Sequence, residues 1–319
     1  MKKAFIELHL SVLLAGWTGI FGKLITMSPG LIVFWRIVFA GALLWTWSIA
    51  KKKLEPVTPR DRIGIMLVGA LLMVQWALFY AAIKYSNVSV GVVSFSTIGF
   101  FTAIIEPLMM RTRIALKELG FSLLTILGVY LIFHFDAHYR LGILFGLLSA
   151  AGAAALAVFF RIYKARYSAV TVMNYQLAGG LIASGLAMPF YFSLMPPEPF
   201  LPNLFNLGCL LIFSSFCTIG MYLLQIQSLE KISAFTVNLT YNLEPIYSII
   251  LAMILFDEGS EVGASFYVGL FFIALSVALQ SWSVMRLHKK VKASALTPPA
   301  KSDAAFLAAK SNAQTRADP

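Results

Sequence analysis

Long apolar runs alternate with short polar breaks from the first residues to about position 285. Each run is close to the ~20 residues a helix needs to cross a bilayer core of roughly 30 Å. Runs of this kind must be helical, because a helix satisfies its own backbone polar groups in hydrocarbon. Spans are predicted at about 5–26, 29–50, 63–83, 88–110, 118–135, 140–160, 168–195, 204–228, 233–256 and 262–285. The seventh is long and should stop short of Met195. Ser28-Pro29 can open the second span, since a proline at the first helical position loses no needed donor. Thr58-Pro59-Arg60-Asp61 precedes the third, and Met195-Pro196-Pro197-Glu198-Pro199 cannot continue a helix. The first span is not read as a cleavable signal peptide. It holds Glu7, His9 and Lys23, lacks an evident small-residue cleavage site and leads straight into another span.

Composition narrows the class further. Hydrophobic residues make up 59% of the chain and charged residues 12%, too little charge for a soluble domain of 319 residues. With the N-terminus cytoplasmic, 18 Lys and Arg fall in the inner segments, against Lys84, Arg140 and Lys23 at or near the outer ones. That is a positive-inside bias. The net charge of +11 therefore reads as topology and not as nucleic-acid binding. Both termini are expected in the cytoplasm, with residues 287–319 a disordered tail rich in Ala, Ser, Lys and Pro. Cys209 and Cys217 share one predicted span, about 12 Å apart at ~1.5 Å per residue, beyond disulfide reach.

An internal repeat organises the runs. A shift of 146 residues lays Ala82–Thr112 over Ser228–Glu258 without a gap, matching Ser94 with Thr240, Ser96 with Asn242 and Thr102 with Ser248. A shift of 140 lays Lys23–Arg36 over Tyr163–Gln176. With an odd number of spans per half, the second half enters the membrane from the opposite side. Inverted repeats of this kind are widespread in secondary transporters, with substrate sites near the midplane between the halves. The expected fold is an all-α integral membrane protein of ten transmembrane helices in two inverted five-helix repeats, 1–137 and 138–286.

The stretch from Ser233 to Glu244-Pro245 (SAFTVNLTYNLEP), followed by an apolar run to Asp257-Glu258, resembles the end of the second repeat in the EamA-like family of the drug/metabolite transporter superfamily. Ala82 through Arg113 is its first-half counterpart, and the resemblance covers roughly residues 5–285. It implies a ten-span carrier that exports or exchanges small metabolites, amino acids or drugs, in a cell membrane such as the bacterial inner membrane. Ile98-Gly99 stands where the second half has Glu-Pro, and Arg111-Thr112 where it has Asp-Glu. The halves are therefore not expected to contribute equally to binding.

Polar residues inside the spans are the candidate site. Glu244 is eleven residues into a span of 24, near the midplane, where a charge costs about 2.5–3.5 kcal/mol on insertion scales unless protonated, paired or wet. Pro245 should kink that helix and free a carbonyl. Asn238, Tyr241 and Asn242 form an adjoining polar strip. The alternative for Glu244 is a protonated acid bonding a neighbouring helix. Arg36 cannot lose its charge, so it must snorkel, pair or face a wet cavity. For Lys23, near a helix end, snorkelling is favoured. If either faces the cavity, it attracts a carboxylate or phosphate. Gln75, Trp76 and Tyr80 offer hydrogen bonds and an aromatic wall, although Gln75 and Trp76 need not share a face. Asn174, Gln176, Gln225 and Gln227 are as apt to bond between helices. Glu106-Pro107 is expected to end or kink its helix near the cytoplasmic surface.

Gly142-Ile-Leu-Phe-Gly146 and the small residues from Ser149 to Ala155 suit close helix approach. No metal-ligand cluster, nucleotide loop, haem motif or catalytic triad is legible, so neither a cofactor nor a metal is expected. Two function classes remain: a secondary carrier of a small organic solute, and a non-transporting intramembrane scaffold or enzyme. The expected partners are that solute and the lipid bilayer, with a coupling proton and a homodimer left open. The second class would need a concentrated catalytic group that the sequence does not display.

Overall fold

The apolar runs fold as helices whose ends follow from the residues placed there. The computed structural model describes residues 2–113, 116–135, 139–194, 198–229, 237, 240–241, 243–276, 278–279 and 282. Two compact units are present, Met1–Val277 and Ala278–Pro319. All that follows concerns the first. Asn238, Asn242 and the tail predicted at 287–319 lie outside the described residues.

In chain order the helices are α1 (Lys2–Leu24), α2 (Pro29–Ala50), α3 (Pro59–Lys84), α4 (Val88–Phe95), α5 (Ile98–Met110), α6 (Leu116–Phe135), α7 (Arg140–Lys164), α8 (Ala169–Leu194) and α9 (Leu204–Ile212). A π-helical segment (Phe213–Gly220) leads into α10 (Met221–Leu229), and α11 (Glu244–Phe256) and the single turn α12 (Glu258–Glu261) follow. The last is α13 (Ala264–Ser276). No strand occurs among the described residues. Seven stretches are long and apolar enough to cross a membrane: α1, α2, α3, α4 with α5, α7, α8, and Leu204–Ser228. Leu119–Leu131, α11 and α13 are shorter apolar helices.

Capping residues set the starts. Ser28 precedes Pro29 at the head of α2, as its sequence implies. The Thr58 hydroxyl accepts from the Asp61 N–H at 3.3 Å, so α3 begins at Pro59 and not at 63. Asn87 accepts from the Val90 N–H at 2.8 Å, and Asn203 from the Asn206 N–H at 2.8 Å.

Two predicted spans are broken. In the fourth, the Ser96 and Thr97 hydroxyls donate to the carbonyls of Val93 (2.6 Å) and Ser94 (2.7 Å), offering the backbone an alternative to the helical ladder. In the ninth, Thr240 and Tyr241 are helical, but the Leu243 N–H closes a tight turn on Thr240 O at 3.0 Å and a new helix starts at Glu244. Pro245 thus sits in a first turn, where its missing N–H costs nothing; it starts a helix where a kink was expected. Conversely, α5 runs through Glu106-Pro107 to Met110 and ends on Arg111.

Small residues bring the helices together. A Cβ on Gly69 of α3 would collide with the Gln176 carbonyl of α8, and one on Gly179 with the backbone of Met66. The Gly142 and Gly146 spacing meets Ser86 and Ser94, which realises the expected close approach. One core joins Ile20, Phe21, Leu31, Ile37, Tyr80, Leu177 and Phe213. Leu186, Phe190 and Ile254 lie largely exposed outside it, as lipid-facing residues would.

Contacts at the helix ends fall into two sets. In one, Lys23 meets Glu258, the Thr26 N–H donates to Asn206 Oδ1 at 3.0 Å, the Ser28 N–H donates to Glu198 at 3.1 Å, and Lys84 donates to Ile25 O. In the other, the Ser168 N–H donates to Glu55 at 2.7 Å, Asp61 accepts from Tyr167 at 2.7 Å, and Arg161 pairs with Glu106.

Candidate functional site

Arg36 stands two turns into α2 and is only 3% exposed, which removes snorkelling as an account of it. Its side chain reaches toward α3 and the π-helical segment. The Nε–H donates to Thr218 Oγ1 at 3.0 Å, and Nη1 donates to the Tyr80 hydroxyl. The guanidinium carbon lies 3.8 Å from the ring centroid of Trp76 and 4.3 Å from that of Phe213, both within cation–π range. The ion pairs among the described residues are Lys3–Glu7, Lys23–Glu258, Arg161–Glu106 and Arg166–Asp61, so no carboxylate neutralises Arg36 there.

Each wall of this group has a local cause. Trp76 and Tyr80 are four apart on α3 and so share a face. Gln75 is on another face. It donates to Ser149 Oγ of α7 at 2.8 Å and accepts, through its backbone carbonyl, from the same hydroxyl at 3.0 Å. The structure therefore joins Arg36, Trp76 and Tyr80 and leaves Gln75 as a clamp between helices. Asn174 does similar work, donating to Ser48 Oγ of α2 at 2.9 Å.

The π-helical segment, absent from the sequence reading, supplies the remaining wall. Its wider turns carry Phe213 and Thr218 to the guanidinium, and Ser214 Oγ donates to the Arg36 carbonyl at 3.4 Å. Phe213 also stacks on Phe21 of α1 at 5.2 Å. Departures from the α-helical ladder are frequent at functional sites. The sequence signal was the small polar trio Ser214, Ser215 and Thr218 inside an apolar run.

Glu244 and Tyr241 occupy a different place, against α1. The Tyr241 hydroxyl donates to Ser11 Oγ at 3.2 Å, and Gly16 and Gly19 of α1 lie against Tyr247 and Ser248. Glu244 is half-buried in the first turn of α11 and makes no hydrogen bond or ion pair among the described residues. No such contact joins it to Arg36. The helix break separates Tyr241 from Glu244; Asn238 and Asn242, expected to form a polar strip with Tyr241, lie outside the described residues.

Lys23 does not snorkel. Its ammonium lies 2.9 Å from Glu258 Oε1, and Glu258 is fully buried. The same carboxylate accepts from the Val88 N–H at 2.9 Å and the Ser89 N–H at 2.7 Å, the free donors that open α4. A carboxylate at a helix N-terminus also meets a favourable dipole. In the sequence, Glu258 stands only as the end of the Asp257-Glu258 pair that closes the second-half run.

Bundled apolar helices with an arginine held among aromatic rings define a multi-pass helical membrane protein. A model of the EamA-like transporter family matches residues 3–134 and 140–282, and the chain belongs to that family, with two copies of its repeat. No curated protein matches the chain. A solved structure described only as "Crystal structure of protein" is similar in fold, with a TM-score of 0.59 at 15% identity, covering 90% of this chain and 99% of that one.

Proposed function

We propose that the chain is a secondary transporter that exports or exchanges a small organic solute, such as an amino acid, another metabolite or a drug. It works by alternating access between two inverted five-span halves, 1–137 and 138–286. The pairing of helices is the observation that carries this. Let α1, α2, α3, α4 with α5, and α6 be the first half. Let α7, α8, α9 through α10, the segment ending in α11, and α13 be the second. Packing of α3 on α7 is answered by α1 on the π-helical segment and α10. Packing of α4 and α5 on α7 is answered by α11 on α1, and α3 on α8 by α2 on α9 and the π-helical segment. The pairs α2 with α8 and α4 with α11 are their own counterparts.

These pairs between the halves survive the exchange, as a two-fold axis between them would produce, although within the first half the packing of α2 on α3 has no counterpart of similar extent in the second. With five spans in each half, that axis lies in the membrane plane. The helix breaks agree: α5 and α11 are each 13 residues long, begin at Ile98 and Glu244, and end on left-handed residues, Arg111 at φ 53° and Asp257 at φ 55°. Discontinuous helices in corresponding positions of two halves are the usual mark of a transport site.

The same proposal places the chain in the cell membrane, the bacterial inner membrane in particular, with both termini cytoplasmic. The Lys and Arg bias supports this, and the two sets of end contacts keep the predicted outer loops apart from the inner ones.

The test is flux in proteoliposomes of the purified full chain, over a panel of amino acids, nucleosides, cationic drugs, dicarboxylates and sugar phosphates. At least one solute should cross faster than into protein-free vesicles and emerge chemically unchanged. Conversion of a solute, or no flux above the empty vesicles across the panel, would overturn it.

A further inference from the structure

Arg36 is a buried cation that the described protein leaves without a counter-charge. An isolated buried ion costs several kcal/mol or more even after relaxation. An arginine cannot discharge that cost by losing its proton. Rings and hydroxyls lower it: Trp76 and Phe213 offer π-faces, and Thr218 and Tyr80 accept hydrogen bonds. None of these is an anion.

The guanidinium also has unused donors. It carries five N–H groups in a planar fork. One, on Nε, goes to Thr218 and one, on Nη1, to Tyr80, while Nη2 donates to nothing among the described residues. Trp76 and Phe213 contact the guanidinium carbon, with ring centroids at 3.8 and 4.3 Å, and accept no N–H, so the unused N–H groups remain for an edge-on partner, the approach by which carboxylates and phosphates bind arginine. Thr218 belongs to the π-helical segment and Tyr80 to α3, so the two accepted bonds fix the fork between elements of both halves.

We propose that Arg36 is the anion-binding group of the transport site and that the transported solute is a small organic anion, bearing a carboxylate or a phosphate. Trp76 and Phe213 hold the guanidinium plane, and Thr218 and Tyr80 set its rotation, leaving the outer edge for the solute. This rests on the transport reading above. It goes further in naming the charge of the solute and the residue that selects it.

The first experiment needs no mutant. Binding to the purified full chain in detergent is measured by tryptophan fluorescence and by thermal shift, with matched probes sharing one ring: benzoate, phenyl phosphate, benzamide and benzylamine. A wider panel of amino acids, 2-oxo acids, dicarboxylates and sugar phosphates follows. An anion should bind about tenfold or more tightly than its neutral or cationic counterpart, the least expected when a charged partner is lost from a buried pair. Benzoate against phenyl phosphate, and oxo acids against sugar phosphates, tell the carboxylate from the phosphate. Equal binding of an anion and its uncharged isostere would overturn the proposal, as would a panel whose tightest binder is cationic.

Arg36→Gln should abolish the preference for the anion. Arg36→Lys, which keeps the charge but not the fork, should weaken it about tenfold. Should Arg36→Gln fail to yield a monodisperse protein, Thr218→Val decides. It frees the Nε–H and releases the fork while leaving the charge, and should lower anion affinity several-fold without touching benzamide binding. Anion binding unchanged in both Arg36→Lys and Thr218→Val would sink the assignment. Flux separates the two readings: anion binding lost in Arg36→Gln with no wild-type flux removes transport alone, whereas anion-independent flux that persists in Arg36→Gln removes this site alone.

Discussion

At the residue scale, the acid at 244 and the arginine at 36 separate into distinct problems. Arg36 is held by named partners, but Glu244 is half-buried at the head of α11 with none among the described residues. A carboxylate in the first turn gains about 0.3–1 kcal/mol from the helix dipole. That does not offset the ~2.5–3.5 kcal/mol charged for an acid at the centre of a membrane span. If the proposed transport uses this group, it takes up a proton or meets the solute there. Glu244→Gln keeps the shape and most of the hydrogen bonding while removing the titratable charge. It should reach the membrane folded, yet lose flux or the pH dependence of flux. Glu106→Gln, whose native carboxylate is partly exposed and paired with Arg161, should do much less. Normal transport with an unchanged pH profile in Glu244→Gln would make this residue a structural acid only.

At the element scale, what was legible is what depends on neighbours in sequence. Apolar runs and Ser28-Pro29 located helices well, because capping and burial of a continuous run are local, whereas the Thr58 cap starts α3 at Pro59, four residues before the expected 63. The breaks at Ser96–Thr97 and Leu243, and the π-helical segment, were hidden because each polar cluster (Ser94, Ser96 and Thr97; Thr240 and Glu244; Ser214, Ser215 and Thr218) is too short to interrupt the long apolar run around it. The Lys23–Glu258 pair was hidden by its separation of 235 residues. Of the candidate site, Arg36, Trp76 and Tyr80 were each named from sequence, but Phe213 and Thr218 were not, since only tertiary packing brings them there. Packing also gives these glycines opposite roles. A Cβ on Gly69 meets the Gln176 backbone, which cannot rotate aside as a side chain can. Gly69→Ala should force α3 from α8 and cost about 1–3 kcal/mol, the usual range for overpacking. Gly185→Ala in α8 meets nothing within 4 Å and should stabilise by up to about 1 kcal/mol through helix propensity. Thermal unfolding in detergent ranks the two, and a Gly69→Ala protein as stable as Gly185→Ala would show that this helix contact is not tight.

At the scale of the whole molecule, the two sets of end contacts differ in strength, and that difference predicts which end resists opening. The pairs Arg161–Glu106 and Arg166–Asp61 have arginine side chains 67% and 60% exposed, and such surface pairs are worth about 0–1 kcal/mol each. Glu258 is fully buried and accepts from Lys23, Val88 and Ser89, tying a second-half turn to two first-half helices. Removing one partner from a fully buried pair costs about 3–5 kcal/mol because the other charge is stranded; Lys23 is 31% exposed and water reaches it, so the cost here falls below that range. Under the proposed alternating access, this tie must release whenever its end opens. Glu258→Gln keeps the side chain's size but removes the charge that Lys23 and the α4 donors face, so the open arrangement should become more populated. A cysteine replacing Ser89, buried in the closed state, reports it. Labelling by an impermeant maleimide should rise about tenfold for each 1.4 kcal/mol by which the closed state is weakened. Glu106→Gln at the opposite end should leave that rate alone. In intact cells the label should reach Ser89→Cys from outside, as the Lys and Arg bias requires. An unchanged labelling rate in folded Glu258→Gln protein would make the buried pair a permanent strut, and the moving contacts would then have to be sought elsewhere.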